Sequence, residues 1–225
     1  MLIVDSQIHL WANAKMGGTH RQVPTYAAAD ALREMAEAGV DAAVIHPPTA
    51  LHERAEEVNE LAVEAVRRHP EKFCILGYFD LERPDRRDVV KTWRERPGMV
   101  GFRFGFSRPE WQDRWSDDYW LWAACEEEGL PVGLLAGGRM AELGAIAERY
   151  PGLKLHIDHC GRGGVPGKDD AVFADLGEML ELARYPNVAV KLSGAPSYSS
   201  QPYPYRNIHP YLRQIYDAFG PERCF

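Results

Sequence analysis

Gln7 and His9 stand one residue apart at the end of the opening run LIVDSQIHLW. Alternate side chains of an extended chain share a face, so the two project together. Paired polar groups just past a strand can begin a metal site or a site that polarises a carbonyl. A glutamine amide is a poor zinc ligand beside imidazole, thiolate or carboxylate, so this pair alone predicts no tight zinc centre. A second stretch, LHIDHCGRGG, ends on His159, with glycines at 161, 163 and 164 that let backbone come close to a ligand. His9 and His159 are the candidate catalytic residues. The plainer readings are a His9 that bonds a loop and a His159 packed beneath a glycine turn; His156 reads as core.

Further groups sit at other strand ends. In GFRFGF, Arg103 alternates with Phe102 and Phe104 and so faces away from them. A buried cation needs a partner, and the guanidinium fork suits a substrate carboxylate or a structural salt bridge equally. Lys191 and Ser193 share a face in VAVKLSG, where either can bond substrate or, for the lysine, a carboxylate of the fold. His46 in VIHPP lines the mouth or caps a Pro-Pro turn. Trp11, Trp111, Trp115, Tyr198, Tyr203 and Tyr205 fall in long loops and suggest lids over an organic substrate, some of them covering core. No Ser-His-Asp order, P-loop or GxSxG is present, and Ser193 lacks a nucleophile elbow.

These residues need a frame that brings strand ends together. Seven β-rich runs are legible: Leu2–Asp5, Ala42–His46, Phe73–Tyr78, Met99–Phe104, Pro131–Leu135, Leu153–Asp158 and Val188–Leu192. Between them apolar residues recur at helical spacing, as in Val58, Leu61, Ala62, Ala65 and Val66, in Phe173, Leu176 and Leu180, and in Ile208, Leu212, Ile215, Tyr216 and Phe219. Such alternation predicts parallel strands with right-handed crossovers. Helices hand over to strands through terse breaks such as EAGVDAAV and ARYPNVAV, whereas the loops after strands one, four and seven are long and rich in polar and aromatic residues. Long loops on one side mark the functional face. The turn after strand one has no glycine fingerprint for a dinucleotide, so a doubly wound sheet is set aside for a (β/α)8 barrel.

The bulk numbers allow one large domain or two small ones with a substantial core. Over 225 residues, 45% are hydrophobic and the net charge is −7, which disfavours nucleic acid and anionic membrane as partners. No apolar run approaches the roughly 20 residues of a membrane span. Asp5 interrupts any signal-peptide core, and four scattered cysteines read as reduced thiols, so a cytoplasmic protein is expected. The aromatic loops suit a homo-oligomer contact as well as a ligand.

Taken together, VDSQIHLW, GMVGFRFGF, LHIDHCGRGG and the stretch from NVAVKLSG to DAFGPERCF resemble the amidohydrolase superfamily over nearly the whole chain. The nearest branch is the amidohydrolase-2 group of pyrone-dicarboxylate and sugar-lactone hydrolases and relatives of aminocarboxymuconate-semialdehyde decarboxylase. The resemblance implies a TIM-barrel fold and a divalent metal held by a His-x-His of strand one, later histidines and an Asp of strand eight, or metal-free catalysis in some lactonase branches. His9 matches the second His of the first motif and His159 the His of strand six, while Gln7 stands in place of the first. The implied cofactor is none, or one weakly held zinc or manganese ion on His9 and His159. The expected reaction is water attack on the carbonyl of a lactone or a related carboxylated small molecule. In it His9 and His159 polarise the carbonyl, and Arg103, Arg162 or Arg206 grips a carboxylate. Gln7, His46, Lys191, Ser193 and Tyr198 complete the expected substrate contacts. The alternatives are non-oxidative decarboxylation of an aromatic or muconic acid on the same scaffold, or a binding homologue without turnover. The strand-eight motif, an aromatic-Gly-Thr-Asp, would begin after Phe225, and seven strands leave open edges in an eight-strand barrel. Residues 1–225 are therefore read as one barrel domain, C-terminally truncated, lacking the eighth strand and the C-terminal helices. If these residues were the whole protein, an open barrel of little activity is expected; an intact mass well above 25.4 kDa would reveal the remainder.

Overall fold

Strand and helix alternate along the chain in the computed structural model, which describes residues 1–17, 20–106 and 109–225, with only the backbone of Pro109. Gly18, Thr19, Ser107 and Arg108, in the long loops expected at the mouth, lie outside the described residues. The strands are β1 (Val4–Ile8), β2 (Ala42–Ile45), β3 (Phe73–Gly77), β4 (Met99–Phe104), β5 (Val132–Leu134), β6 (Leu155–Ile157) and β7 (Val188–Val190). The helices are α1 (Ala28–Ala38), α2 (Ala55–Arg68), α3 (Arg86–Thr92), α4 (Trp120–Glu127), α5 (Met140–Arg149), α6 (Leu176–Leu180) and α7 (His209–Phe219). Hydrogen-bonded strand neighbours follow chain order, as a succession of βα crossovers requires. The chain divides into two compact units, Met1–Arg103 and Phe104–Phe225.

In the first unit β1 pairs with β2, β2 with β3 and β3 with β4, all parallel. The first strand lies later than its apolar letters suggest. Leu2, Ile3 and Val4 are 74%, 43% and 49% exposed, and the strand runs on through Asp5, Ser6 and Gln7. Pairing with the β2 ladder, rather than hydrophobicity, sets its span. Its register slips between Asp5 and Ile8, a bulge of the kind that re-aims side chains beside functional sites. Helix α1 stops where Gly39 adopts φ 70°, its N–H closing onto the Ala36 and Met35 carbonyls. Helix α2 buries Val58, Ala62, Ala65 and Val66 on the stripe expected from its spacing. Phe79, Trp93 and Phe102 form an aromatic cluster, with ring centres 4.5 Å apart for Trp93 and Phe102.

In the second unit β5, β6 and β7 are parallel neighbours, and the register aligns Gly133, His156 and Ala189 across the three strands. A Cβ on Gly133 would stand 2.1 Å from His156 Nε2, so the glycine is the slot that admits that ring. Beyond β7, Cys224 bridges Val190 in parallel, with Phe225 N–H on the Val190 carbonyl at 3.1 Å and Leu192 N–H on the Phe225 carbonyl at 2.7 Å. The helical stripe expected from Phe173 to Leu180 is broken in two. Phe173 ends a 3-10 turn (Asp169–Phe173), and α6 starts only after Asp175, whose carboxylate is turned aside to Arg162. Asn187, in the terse ARYPNVAV break, donates to the carbonyls of Ala147, Tyr150 and Leu153 at 3.1, 3.0 and 3.0 Å. The Ala147 carbonyl belongs to the last turn of α5, and those of Tyr150 and Leu153 follow it, so one amide ties the end of the helix to the start of β7. Among the described residues no helix is long and apolar enough to cross a membrane.

Candidate functional site

In the first unit the end of β1 is bracketed by His46. Its backbone N–H bonds the Ile8 carbonyl at 2.8 Å, and its fully buried ring places Nε2 3.1 Å from the Ser6 carbonyl at the bulge. The His46 carbonyl in turn lies 2.6 Å from His9 Nδ1. A carbonyl only accepts, so His9 Nδ1 carries the proton and, in the neutral ring, Nε2 presents its lone pair. Gln7 Nε2 lies 3.4 Å from that nitrogen and, as an amide nitrogen, only donates. The sequence reading of two side chains aimed at one point therefore describes Gln7 and His9 as they stand, joined by a hydrogen bond. His46, expected at the mouth or as a cap, holds His9 through its backbone. The loop after β1 adds a histidine that strand-end reasoning passed over: the His20 ring centre is 5.5 Å from that of His9. Nothing in the local sequence marks His20, because the contact depends on a loop doubling back.

Arg103 is 3% exposed in the same unit, and its charge acts on Tyr78. Burial pushes the Tyr78 phenol well above its ordinary range, Arg103 drawing it partly back, and its hydroxyl donates to the Pro48 carbonyl at 2.8 Å. Asn59, fully buried on the apolar stripe of α2, donates to the Tyr78 carbonyl at 2.6 Å. A polar letter inside an apolar stripe was the available signal for it.

In the second unit the polar groups of β6 and β7 rise in two levels. Deeper lie Asp158 and Lys191, with Nζ 3.1 Å from Oδ1 and both side chains all but inaccessible; His156 Nε2 is 3.7 Å from the same oxygen. The lysine is thus paired with a carboxylate of the fold. Above them the half-buried His159 sets Nδ1 2.9 Å from Ser193 Oγ. His159 and Cys160 both have left-handed backbone, φ 54° and 56°, conformations that cost about 1–3 kcal/mol each for residues with a side chain. The turn is held by several bonds. Cys160 N–H meets the Lys191 carbonyl at 2.8 Å, Tyr198 donates to the His159 carbonyl at 3.1 Å, and Arg162 Nε donates to the Cys160 carbonyl at 3.2 Å. Gly194, φ 73°, completes the cradle, since a Cβ there would lie 3.3 Å from both His159 Nδ1 and the Tyr198 hydroxyl.

Arg162 is fully buried, its guanidinium given to the Val172 carbonyl at 3.0 Å and to Asp175 as well as to Cys160; its Nη2 has no hydrogen-bond partner among the described residues. Sequence alone presents it as a cation for substrate, because the groups that enclose it arrive from loop 169–175. Arg206 is exposed. Tyr198 packs edge-on against Phe173, and burial raises its phenol above the ordinary range, so it remains a hydrogen-bond donor. Of the expected lid aromatics, Trp11 and Trp115 are each 3% exposed and act as core, whereas Tyr203 is 83% exposed.

The residues at position 7 and 9 do not fit a tight divalent-metal centre. The nitrogen that would ligate the ion already receives an amide N–H. Among the described residues, no three His, Cys, Asp or Glu side chains are grouped to hold one.

The chain matches the amidohydrolase family over residues 4–225. It is 29% identical over 161 residues to the L-fucono-1,5-lactonase of Burkholderia ambifaria, a match covering 67% of this chain and 52% of that protein, so the chain spans about half of that relative. An amidohydrolase of Burkholderia multivorans, solved with zinc bound, superposes with a TM-score of 0.79 at 23% identity, covering 100% of this chain and 82% of that one. A candidate 2-pyrone-4,6-dicarboxylic acid hydrolase of Pseudomonas putida gives 0.72 at 21% identity, over 100% of this chain and 81% of that one. The two solved structures establish the fold class, the TIM-barrel type, of which this chain carries seven parallel strands. With the family match running from the first strand to the last residue, the chain belongs to the amidohydrolase family.

Proposed function

We propose that this protein hydrolyses a cyclic ester, water adding to the ring carbonyl of a lactone such as a sugar-acid 1,5-lactone. The observation that carries this reading is the 29% identity to a lactonase that acts on L-fucono-1,5-lactone. The second unit supplies a group suited to the chemistry. A Ser193 hydroxyl that donates to His159 Nδ1 leaves the ring proton on Nε2, the form that donates to a carbonyl oxygen as negative charge develops there. His159 is thus proposed as the catalytic residue that polarises the carbonyl and Ser193 as the residue that positions it. His9 is proposed as a second group of the reaction, tested by its own variant. The exposed Arg206 is proposed to meet a substrate carboxylate, or the one that ring opening creates.

The test is proton release at constant pH from a panel of sugar 1,4- and 1,5-lactones, L-fucono-1,5-lactone first, measured against spontaneous opening. Turnover that falls about a hundredfold or more in His159→Ala is expected. A folded protein that opens no lactone of the panel faster than buffer contradicts the reading.

A further inference from the structure

The hydrogen bond between Gln7 and His9 has a consequence separate from the reaction. We propose that the Gln7 amide N–H occupies the place of a divalent cation at His9 Nε2, so that His9 is oriented by the His46 carbonyl at Nδ1 and the Gln7 amide at Nε2. Changing position 7 to a ligating side chain then opens a cation site. Donors and acceptors around the His9 ring decide which nitrogen is open. His9 Nδ1, 2.6 Å from the His46 carbonyl, must be protonated, which leaves one lone pair on the neutral ring, at Nε2. An imidazole ligand would hold zinc about 2.0–2.1 Å from that nitrogen along the lone pair. The amide nitrogen of Gln7 stands 3.4 Å from the same nitrogen and has only protons to offer. Cation and amide therefore compete for one acceptor.

The rest of the arrangement already suits a ligand. A carbonyl behind Nδ1 is the outer support that ligating histidines ordinarily have, and the fully buried His46 fixes it through its own bonds to Ser6 and Ile8. Gln7 and His9 are both half-buried, so the ring is reachable from solvent. The difference from a two-imidazole motif lies at position 7.

The experiment uses zinc alone, with two readouts that need no turnover. Long-range proton–nitrogen correlation spectra of the full chain report the His9 tautomer before and after one equivalent of zinc. Calorimetry gives zinc affinity for the wild type, His9→Ala, Gln7→His and Gln7→Glu, with circular dichroism confirming that each is folded. The glutamate variant, close to glutamine in shape but a ligand rather than a donor, stands in if the histidine variant does not fold. The expected result is a His9 ring protonated at Nδ1 and unmoved by zinc, with wild-type affinity no greater than that of His9→Ala. A folded position-7 variant should bind at least about tenfold more tightly, the gain vanishing when His9→Ala is added. The inference is overturned if zinc shifts the His9 Nε2 signal of the wild type, or if both folded position-7 variants bind no better than the wild type. Either failure leaves the lactone assay untouched, and an inactive protein leaves this result standing.

Discussion

His9 and His159 are each fixed through Nδ1, one by a backbone carbonyl and the other by a hydroxyl, and the difference matters for what Nε2 can do. A carbonyl forces the proton onto Nδ1, whereas a serine hydroxyl is able to donate to Nδ1 and leave the proton on Nε2, as the role proposed for His159 requires. Ser193→Ala should therefore lower kcat about tenfold or more with KM little changed and leave the melting temperature within a degree or two. An unchanged kcat would reduce Ser193 to a bystander. Lys191 belongs to a different class. Its partner Asp158 is sealed from solvent, so Lys191→Met leaves a buried carboxylate without its cation and should cost about 3–5 kcal/mol in urea unfolding. A loss under 1 kcal/mol would contradict the ion pair as described. At this scale the sequence was informative about which residues sit at strand ends. It was silent on their partners. Arg162 looks like a free cation in GRGG because Val172 and Asp175, ten and thirteen positions on, enclose it only after the loop folds back.

The strands were legible because parallel strands buried on both faces read as dense apolar runs, and β4 falls where Met99–Phe104 was expected. The first strand was misplaced for the same reason. Leu2, Ile3 and Val4 are apolar yet exposed, and the pairing that defines β1 continues through polar letters to Ile8. Helix α6 was overextended because periodicity does not register the break at Asp175, which a buried arginine imposes from outside the segment. The small residue of β5 carries an element-scale prediction. Gly133→Ala puts a methyl against the buried His156 ring, where a Cβ would stand 2.1 Å from Nε2. The strand must shift or the ring must leave its place beside Asp158, at a cost of about 1–3 kcal/mol. A denaturation curve matching the wild type would show that His156 has room to spare.

Over the whole molecule, strict strand–helix alternation predicted parallel strands with right-handed crossovers, and the missing glycine fingerprint together with reactive residues at several strand ends selected the barrel over a doubly wound sheet. The loop conformations were not legible, since their contacts join residues far apart in sequence. One global property follows from burial. Desolvation pushes the Cys160 thiol from an ordinary 9.0 up to about 12, and burial together with Glu34 pushes the Tyr26 phenol from 10.0 up to about 12. In both cases the folded protein retains a proton that the unfolded chain releases earlier. The associated stability is fully present below the unfolded pKa and is lost as pH rises toward about 12. The urea midpoint should accordingly fall steadily above pH 9, and less steeply in Cys160→Ala; a flat midpoint to pH 11 would contradict this. Whether the serine-held imidazole at the end of β6 opens lactone rings, as proposed, is decided by constant-pH proton release in wild type and His159→Ala side by side. Turnover well above the spontaneous rate is expected, reduced about a hundredfold or more in the variant with its fold intact. Equal rates for the two proteins, or a wild-type rate no faster than buffer, would contradict it.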